Sequence, residues 1–467
     1  MQLRKRRKGS VREQIAALSA GLLAVTGTIV PAVAQDDPYA PVPAVQDNNF
    51  GPGAAYAELD AALLVYQEAG GRVQAIEPST NLAVHGAHGE TLSLGLIADA
   101  VSGATPNGAV PSGQVQTFLT PVMVSGGHAT VTGASGGSTI ISLPGIPAVR
   151  QYTAAANTLP MDKGFHDHRG AIDFNWSQPL GHISDVGFGG GFSREQDYQA
   201  ISGNAHIAQN FNSDNTTLSL TLNTELDSSF PYGGVPTPLT VMSGALKTPT
   251  TRDKTQLGFV IGLTEVVSRR WLMQLDYSFD AQSGYQNDPY RVISVVNATS
   301  GEPTANLYEN RPNHRQSQSL FLDNKFDFDP FVTDISLRYF KDDWGITSKT
   351  AELSERINLG RSFFIEPDVR WYQQSAANFF HYFLNGSDPL PAFASSDTRL
   401  GKFSSLTYGM KVGFNLTGRT ELDLRGMYYQ QTGDGHPADA IGQLRQQNLF
   451  AGTKAAFVFL EYTWDFH

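Results

Sequence analysis

The sequence contains no cysteine, which excludes disulfides, thiolate metal centres and cysteine nucleophiles. Charge is scarce: Asp, Glu, Lys and Arg make up 16% of the 467 residues, against about 25% in soluble domains. An excess of basic groups is also lacking. With 33 basic and 44 acidic side chains the net charge is −11, the wrong sign for a nucleic-acid binder, which needs a basic stripe. Long apolar runs are missing after residue 34. A helical membrane span, which takes about 18 or more apolar residues in succession, is therefore not expected. What the chain does have is 46 Gly, 27 Phe, 17 Tyr, 5 Trp and 40% hydrophobic residues. Its length suits either roughly three soluble domains of about 150 residues or one large all-β unit.

The N-terminus reads as a targeting segment. Arg4, Lys5, Arg6, Arg7, Lys8 and Arg12 precede an apolar stretch from Ile15 to Val30, and Ala32-Val33-Ala34 follows. This order of basic region, apolar region and small-residue site predicts a signal peptide over 1–34, cleaved after Ala34. The alternative, a short membrane anchor, is weakened by Thr26, Gly27 and Thr28. Removal of the segment takes away more positive than negative charge. Residues 35–56 are expected to form an N-terminal periplasmic segment and 57–467 the folded body.

Within that body the hydrophobic period is two. Leu218, Leu220, Leu222 and Leu226 alternate with Ser219, Thr221, Asn223, Glu225 and Asp227. Trp271, Met273, Leu275, Tyr277 and Phe279 alternate with Gln274, Asp276, Ser278 and Asp280, and Leu406 to Leu416 behaves likewise. A helix would scatter these residues around its axis, whereas a strand sorts them onto two faces. Similar or weaker patterns recur along the chain and predict about 16 strands. Connections such as 212–215, 268–270, 360–362 and 417–419 are short. Those at 228–252, 281–315, 376–401 and 430–449 are long, and the longest is Gly103–His166. The short connection at 341–343 interrupts this alternation.

Short turns on one rim and long loops on the other describe an antiparallel outer-membrane β-barrel. Lipid offers no hydrogen bonds, so a spanning sheet must close on itself. Each strand needs roughly 9 to 11 residues, and the alternating segments supply them. Trp176, Trp271 and Trp464 fall near the predicted short-turn rim and Trp344 and Trp371 near the other, as interfacial aromatic girdles require. The competing reading is a secreted soluble β-protein, whose strands also alternate. Strand number, loop asymmetry and an aromatic terminus disfavour it. Val458, Leu460, Tyr462, Trp464 and Phe466 share one face of the last strand. That strand resembles the C-terminal recognition strand of outer-membrane proteins, here with the aromatic residue penultimate to His467. The resemblance implies the barrel-assembly machinery as a partner, alongside outer-membrane lipid.

Several blocks carry a wider resemblance. They are Leu64-Val65-Tyr66-Gln67-Glu68, Asp99 to Pro106, Ser283 to Tyr290, Arg338 to Ile346, Pro367 to Gln374 and Ala376 to Phe380. Phe165-His166-Asp167-His168-Arg169 resembles a further acidic-x-Arg block. Together they resemble the DUF3570 family of predicted outer-membrane proteins over most of residues 57–467. The family brings no established activity. Its association with periplasmic flavin-attachment and thioredoxin-like genes implies, loosely, periplasmic redox proteins as partners.

Candidate chemical sites are sparse. His166, His168 and His182 invite a metal reading, since His-x-His places two rings on one strand face, yet a polar loop end entering a strand explains them as well. Glu225, Asp227, Asp276, Glu366, Asp368, Glu421 and Asp423, with Arg338, Arg370, Lys411 and Arg425, are expected to line a polar lumen. Asp342-Asp343-Trp344 and Asn287-Asp288-Pro289 offer oxygen ligands to Ca²⁺ but read more simply as turn chemistry. Gly187-Phe188-Gly189-Gly190-Gly191 lacks the ending of a phosphate loop and reads as close packing in a strand. No catalytic, cofactor or metal residue is assigned. The leading expectation is a non-enzymatic channel, translocation conduit or scaffold in the outer membrane of a Gram-negative cell, with Gly103–His166 as the first candidate for a plug or lid. The alternative is an outer-membrane hydrolase, which would need a carboxylate or His paired with a nucleophile on one side of the barrel; proximity of His166, Asp167 and a nearby Ser would favour it.

Overall fold

The computed structural model describes residues 55–466 apart from 122–138, 144–145, 182, 243–246 and 249. The signal-peptide expectation, His182 and His467 lie outside the described residues.

Sixteen antiparallel strands close into one barrel. In chain order they are β1 (Tyr56–Glu68), β2 (Gln74–His85), β3 (Thr91–Pro106), β4 (Met161–Leu180), β5 (Ser184–Arg194), β6 (Tyr198–Phe211), β7 (Thr216–Ser229) and β8 (Arg252–Ser268). Then follow β9 (Trp271–Gly284), β10 (His314–Asp327), β11 (Phe331–Asp342), β12 (Thr347–Asn358), β13 (Phe363–Gln374), β14 (Phe403–Thr417), β15 (Thr420–Gly433) and β16 (Lys454–Phe466). Each strand pairs with its sequence neighbour, and β16 closes the ring on β1 from Ala57↔Phe466 to Glu68↔Ala455. The strand order is therefore the chain order. The expectation of about 16 strands and of an outer-membrane barrel holds, and the soluble alternative does not.

The alternation does what the lipid argument demands. On β7, Leu218, Leu220, Leu222 and Leu226 are exposed on the outside, while Thr217, Thr221, Glu225 and Asp227 are buried inside. On β16, Val458, Leu460, Tyr462 and Trp464 stand outward. A hydrocarbon-facing belt and a polar interior result, and this places the protein in the outer membrane.

The connections sort by rim. One rim carries both barrel ends and short turns only, for example Arg269 and Arg270 between β8 and β9. The other carries the long loops 107–160, 230–251, 285–313, 375–402 and 434–453. Gly103–His166 is shorter as a loop than the sequence suggests. Its ends continue the wall, because β3 runs to Pro106 and β4 starts at Met161, paired as Pro106↔Met161 across a bulge at Gly103/Thr105. The middle forms its own three-stranded sheet from Gln116–Pro121, Thr139–Leu143 and Ile146–Ala154.

Side chains that avoid all solvent lie largely in these loops. Val292, Ile293, Val296, Ala394 and Leu444 are fully buried. Phe118, Tyr152 and Ala109 of one loop pack on Val292 and Tyr308 of another, and Val110 packs with Val296, Phe383 and Leu444. Trp344 joins them against Ala377 and Phe379 at 5% exposure. It therefore belongs to the loop core rather than to a lipid-facing girdle. Trp371, 41% exposed on β13, does fit the girdle.

Candidate functional site

Two places concentrate charge: the lumen wall and the loops over its mouth. In the wall some of the inward carboxylates expected from the sequence find cations from neighbouring strands. Lys411 pairs with Asp423 and, at 3.3 Å, with Glu461. Lys254 meets Asp227 at 2.7 Å, Arg425 meets Glu366 at 3.5 Å and Arg370 meets Glu352 at 4.0 Å. Arg338 faces Asp280. Asp276 accepts from Gln274 Nε2 at 2.6 Å, and Asp368 and Glu421 are buried on the same inner surface. Phe364, fully buried, points inward beneath Arg356, whose guanidinium lies 3.5 Å from the ring centroid. The interior wall is polar, and part of its charge is paired across strands.

The glycine run on β5 serves this packing. A Cβ on Gly189 would lie 2.1 Å from Asn175 Oδ1, and one on Gly187 would lie 2.7 Å from His206 Nδ1. Inward side chains of the flanking strands occupy the space that larger residues would take.

Over the mouth, loops from distant parts of the ring meet. Loop 107–160 rises between β3 and β4, and loop 285–313 between β9 and β10, six strands further round. Even so, Val292 N donates to Asn107 O at 2.9 Å and Val110 N to Ser294 Oγ at 3.0 Å. Glu302 accepts from Ser112 Oγ at 2.7 Å. Loop 434–453 reaches both, through Gln443 N to Ser300 O at 2.9 Å and Gln443 Nε2 to Pro111 O at 3.1 Å. Loops anchored that far apart can touch only by crossing the opening. They form a cap.

The approach is close enough to fix residue types. Gly108 has φ +97°, and a Cβ there would lie 2.2 Å from Val292 O. Gly301 has φ +73°, with Ile441 O at 2.1 Å from its Cβ position. Both places need glycine for conformation and for space.

An ionic cluster lies inside the cap. Asp397 Oδ2 receives Arg399 Nη2 at 2.6 Å and Arg311 Nη2 at 2.9 Å, with Arg291 Nε at 3.6 Å. Glu309 binds Arg311 Nε at 2.7 Å and accepts from Ser395 Oγ and from Asp288 N, both at 2.6 Å. Asp288 completes the balance at 3.5 Å from Arg291. Three arginines thus meet three carboxylates across two loops. Burial works against the charge on Asp397, but Arg291, Arg399 and Arg311 outweigh it and hold this carboxyl well below its ordinary range. At Glu309 burial wins and pushes the carboxyl up, with Arg311 opposing.

The sequence-level sites fare unevenly. Asp342 is spent on Ile346 N at 2.7 Å and Arg315 Nη2 at 2.7 Å, and Asp343 on Gln316 N at 3.0 Å. Asn287 accepts from Arg311 N at 2.7 Å, so both acidic turns are turn chemistry as expected. His166 and His168 share a face of β4, and that face is the exposed outer one; Asp167 between them turns inward. Strand alternation thus puts His166 and Asp167 on opposite faces. The Arg291, Glu309, Arg311, Asp397 and Arg399 cluster was missed. Its partners lie up to about a hundred residues apart in loops without periodicity, and only the Asp397 side chain capping the short turn at Thr398–Leu400 leaves a local mark.

One further group lies beside the cap. Asp167, Glu195 and Asp197 bring carboxylate oxygens within 4.8 Å of one another. Asp197 accepts from the Tyr290 hydroxyl of loop 285–313. Burial, followed by the charge of Asp167, pushes Glu195 up to about 8.

Comparison with known proteins shows the family. No curated protein matches the chain. Among solved structures, the chain is similar to a ferric enterobactin receptor, with 11% identity and TM-score 0.41 over 81% of this chain and 54% of that one. It is similar to the outer membrane protein opdK from Pseudomonas aeruginosa, with 8% identity and TM-score 0.38 over 89% and 100%. For CdiB from Acinetobacter baumannii the values are 8%, 0.42, 87% and 60%. The chain spans about half the length of the receptors it matches. Likenesses this distant carry no argument about cargo. A family model described as "Protein of unknown function" matches residues 22–464, and the closed barrel it covers is the architecture that the motif blocks implied. The chain therefore belongs to the DUF3570 family of outer-membrane β-barrel proteins.

Proposed function

We propose that the protein is a capped conduit: a polar, net-acidic barrel lumen whose outer mouth is closed by interlocked loops and opened when they part. The observation that carries this reading is the meeting of loops 107–160 and 285–313, anchored six strands apart, over the opening. A loop folded against its own wall would leave the mouth free. A barrel of this size has room for an aqueous channel unless it is filled, and the paired charges on the wall suit passage of polar cargo. The buried Asp397 cluster is the latch, since it ties loop 285–313 to loop 375–402.

The test is single-channel recording in planar bilayers. The intact protein is expected to conduct weakly or in rare bursts. Replacement of residues 107–160 by a short turn, with barrel folding verified by heat-modifiable migration, is expected to give steady and larger conductance. Equal conductance in both proteins would overturn the cap, and no conductance in either would favour a scaffold. Docking of a periplasmic redox protein is a separate proposal supported by the family resemblance alone. Co-isolation of flavin-bearing proteins from solubilised outer membranes tests it.

A further inference from the structure

The geometry points to a divalent-cation site at the outer rim, formed by Asp167, Glu195 and Asp197 and suited to Ca²⁺. This inference stands apart from the conduit reading. The residues come from two elements. Wall pairing between β4 and β5 begins at Gly170↔Arg194, so Asp167 sits on the part of β4 that projects beyond β5. Glu195 and Asp197 belong to the turn between β5 and β6 directly beside it.

The independent sign of a missing ligand is Glu195. It is only 8% exposed, yet among the described residues its carboxylate makes no hydrogen bond and no ion pair, while one of its oxygens lies within 4.8 Å of an oxygen of Asp167 and of Asp197. A buried carboxylate without a partner is costly. The nearby cations are committed elsewhere. Arg169 is held by Asp99 at 2.5 Å and Glu77 at 3.3 Å. Arg194 donates to Gln199 Oε1 at 2.5 Å and lies 4.3 Å over the Phe230 ring. Arg169 acts on Glu195 from beside the site, but its close pairs are Asp99 and Glu77 rather than the three acids.

Donor type and flexibility of the site select the ion. All three ligands are carboxylate oxygens, which suit hard cations. Ca²⁺ takes about six to eight oxygens in flexible geometry, whereas Mg²⁺ demands a near-ideal octahedron; a site assembled from one strand and a rim turn suits Ca²⁺. His166 and His168 point to the outer face and take no part. The Tyr290 hydroxyl on Asp197 ties the same site to the cap, so the ion would brace a loop as well as the rim.

Terbium is the probe, used with the full chain folded in detergent and stripped with chelator. Excitation of tyrosine is expected to sensitise Tb³⁺ through Tyr290, with saturable emission displaced by Ca²⁺ at lower concentration than by Mg²⁺. Glu195→Gln and Asp167→Asn are each expected to weaken Tb³⁺ binding tenfold or more while the barrel keeps its heat-modifiable migration; His168→Ala is expected to leave binding unchanged. If one acidic variant fails to fold, the other supplies the readout. Absence of saturable Tb³⁺ emission in the parent protein, or unchanged binding in the folded variants, would overturn the site.

Discussion

Wall and cap are built from the same chain under opposite rules. In the wall the large apolar side chains stand exposed, with Leu222 at 50% and Leu226 at 54%, while Glu225 and Asp227 are buried. In the cap Val292, Ile293 and Leu444 are buried. The reason is the solvent on each side. Lipid rewards apolar exposure and forces every backbone group in the wall to pair with its neighbour, whereas water above the membrane requires a conventional core. The wall therefore derives its stability from backbone closure and lipid contact, and the cap from side-chain packing and the Asp397 cluster. The cap can fail without the wall.

That separation can be broken from either side. The largest effect is expected at Asp397. Replacement by Ala leaves Arg291, Arg311 and Arg399 facing one another in a buried site, a loss of about 3–5 kcal/mol. Amide exchange in 285–313 and 375–402 is expected to accelerate a hundredfold or more while β7 and β16 stay protected. Uniform acceleration across the wall would erase the distinction. Leu222→Arg attacks the other partner: near mid-height on the lipid face it is expected to cost about 2–4 kcal/mol in vesicle-folding equilibria. Cap amides in the folded fraction are expected to remain unaffected.

A smaller strain follows from Gly108→Ala. A methyl at φ +97° collides with Val292 O, and a cost of about 1–3 kcal/mol is expected. It is to be read as more frequent channel opening with an unchanged barrel melting temperature. Acid gives the mildest test. Asp397 is held below its ordinary range, so its contribution is present above the unfolded carboxylate pKa and is lost only as pH falls through the lower folded value. Glu309 is raised; its sign is opposite, and its contribution is fully present below the unfolded pKa and fades as pH rises through the folded one. Conductance is therefore expected to stay low on acidification to about pH 4, near the unfolded value of Asp, and to rise in stronger acid. Opening between pH 7 and 5 would contradict the latch.

The two regions also differ in how far the residues foretell them. Period two in segments such as Thr217–Asp227 and Ala455–His467 marks the wall, because a strand has only two faces and lipid makes one of them apolar along its whole length. The inward set of Glu225, Asp227, Asp276, Asp368, Glu421 and Asp423 followed from the same rule. Trp344 did not: its place near a rim suggests a girdle, and only the fold reveals Ala377 and Phe379 packed around it. Similarly, His166 and His168 attract attention in a sequence, while the residue between them is the one that alternation turns toward Glu195 and Asp197.

Strand number, the neighbour-to-neighbour order, the lipid face and the rim of each loop were thus written locally, through side-chain period and turn length. The meeting of loops six strands apart, the gathering of three arginines on Asp397 and the grouping of three acids at the rim were decided by closure of the ring. Contacts between residues tens to hundreds of positions apart in aperiodic segments have no local pattern; they exist only once the barrel fixes where each loop begins and ends.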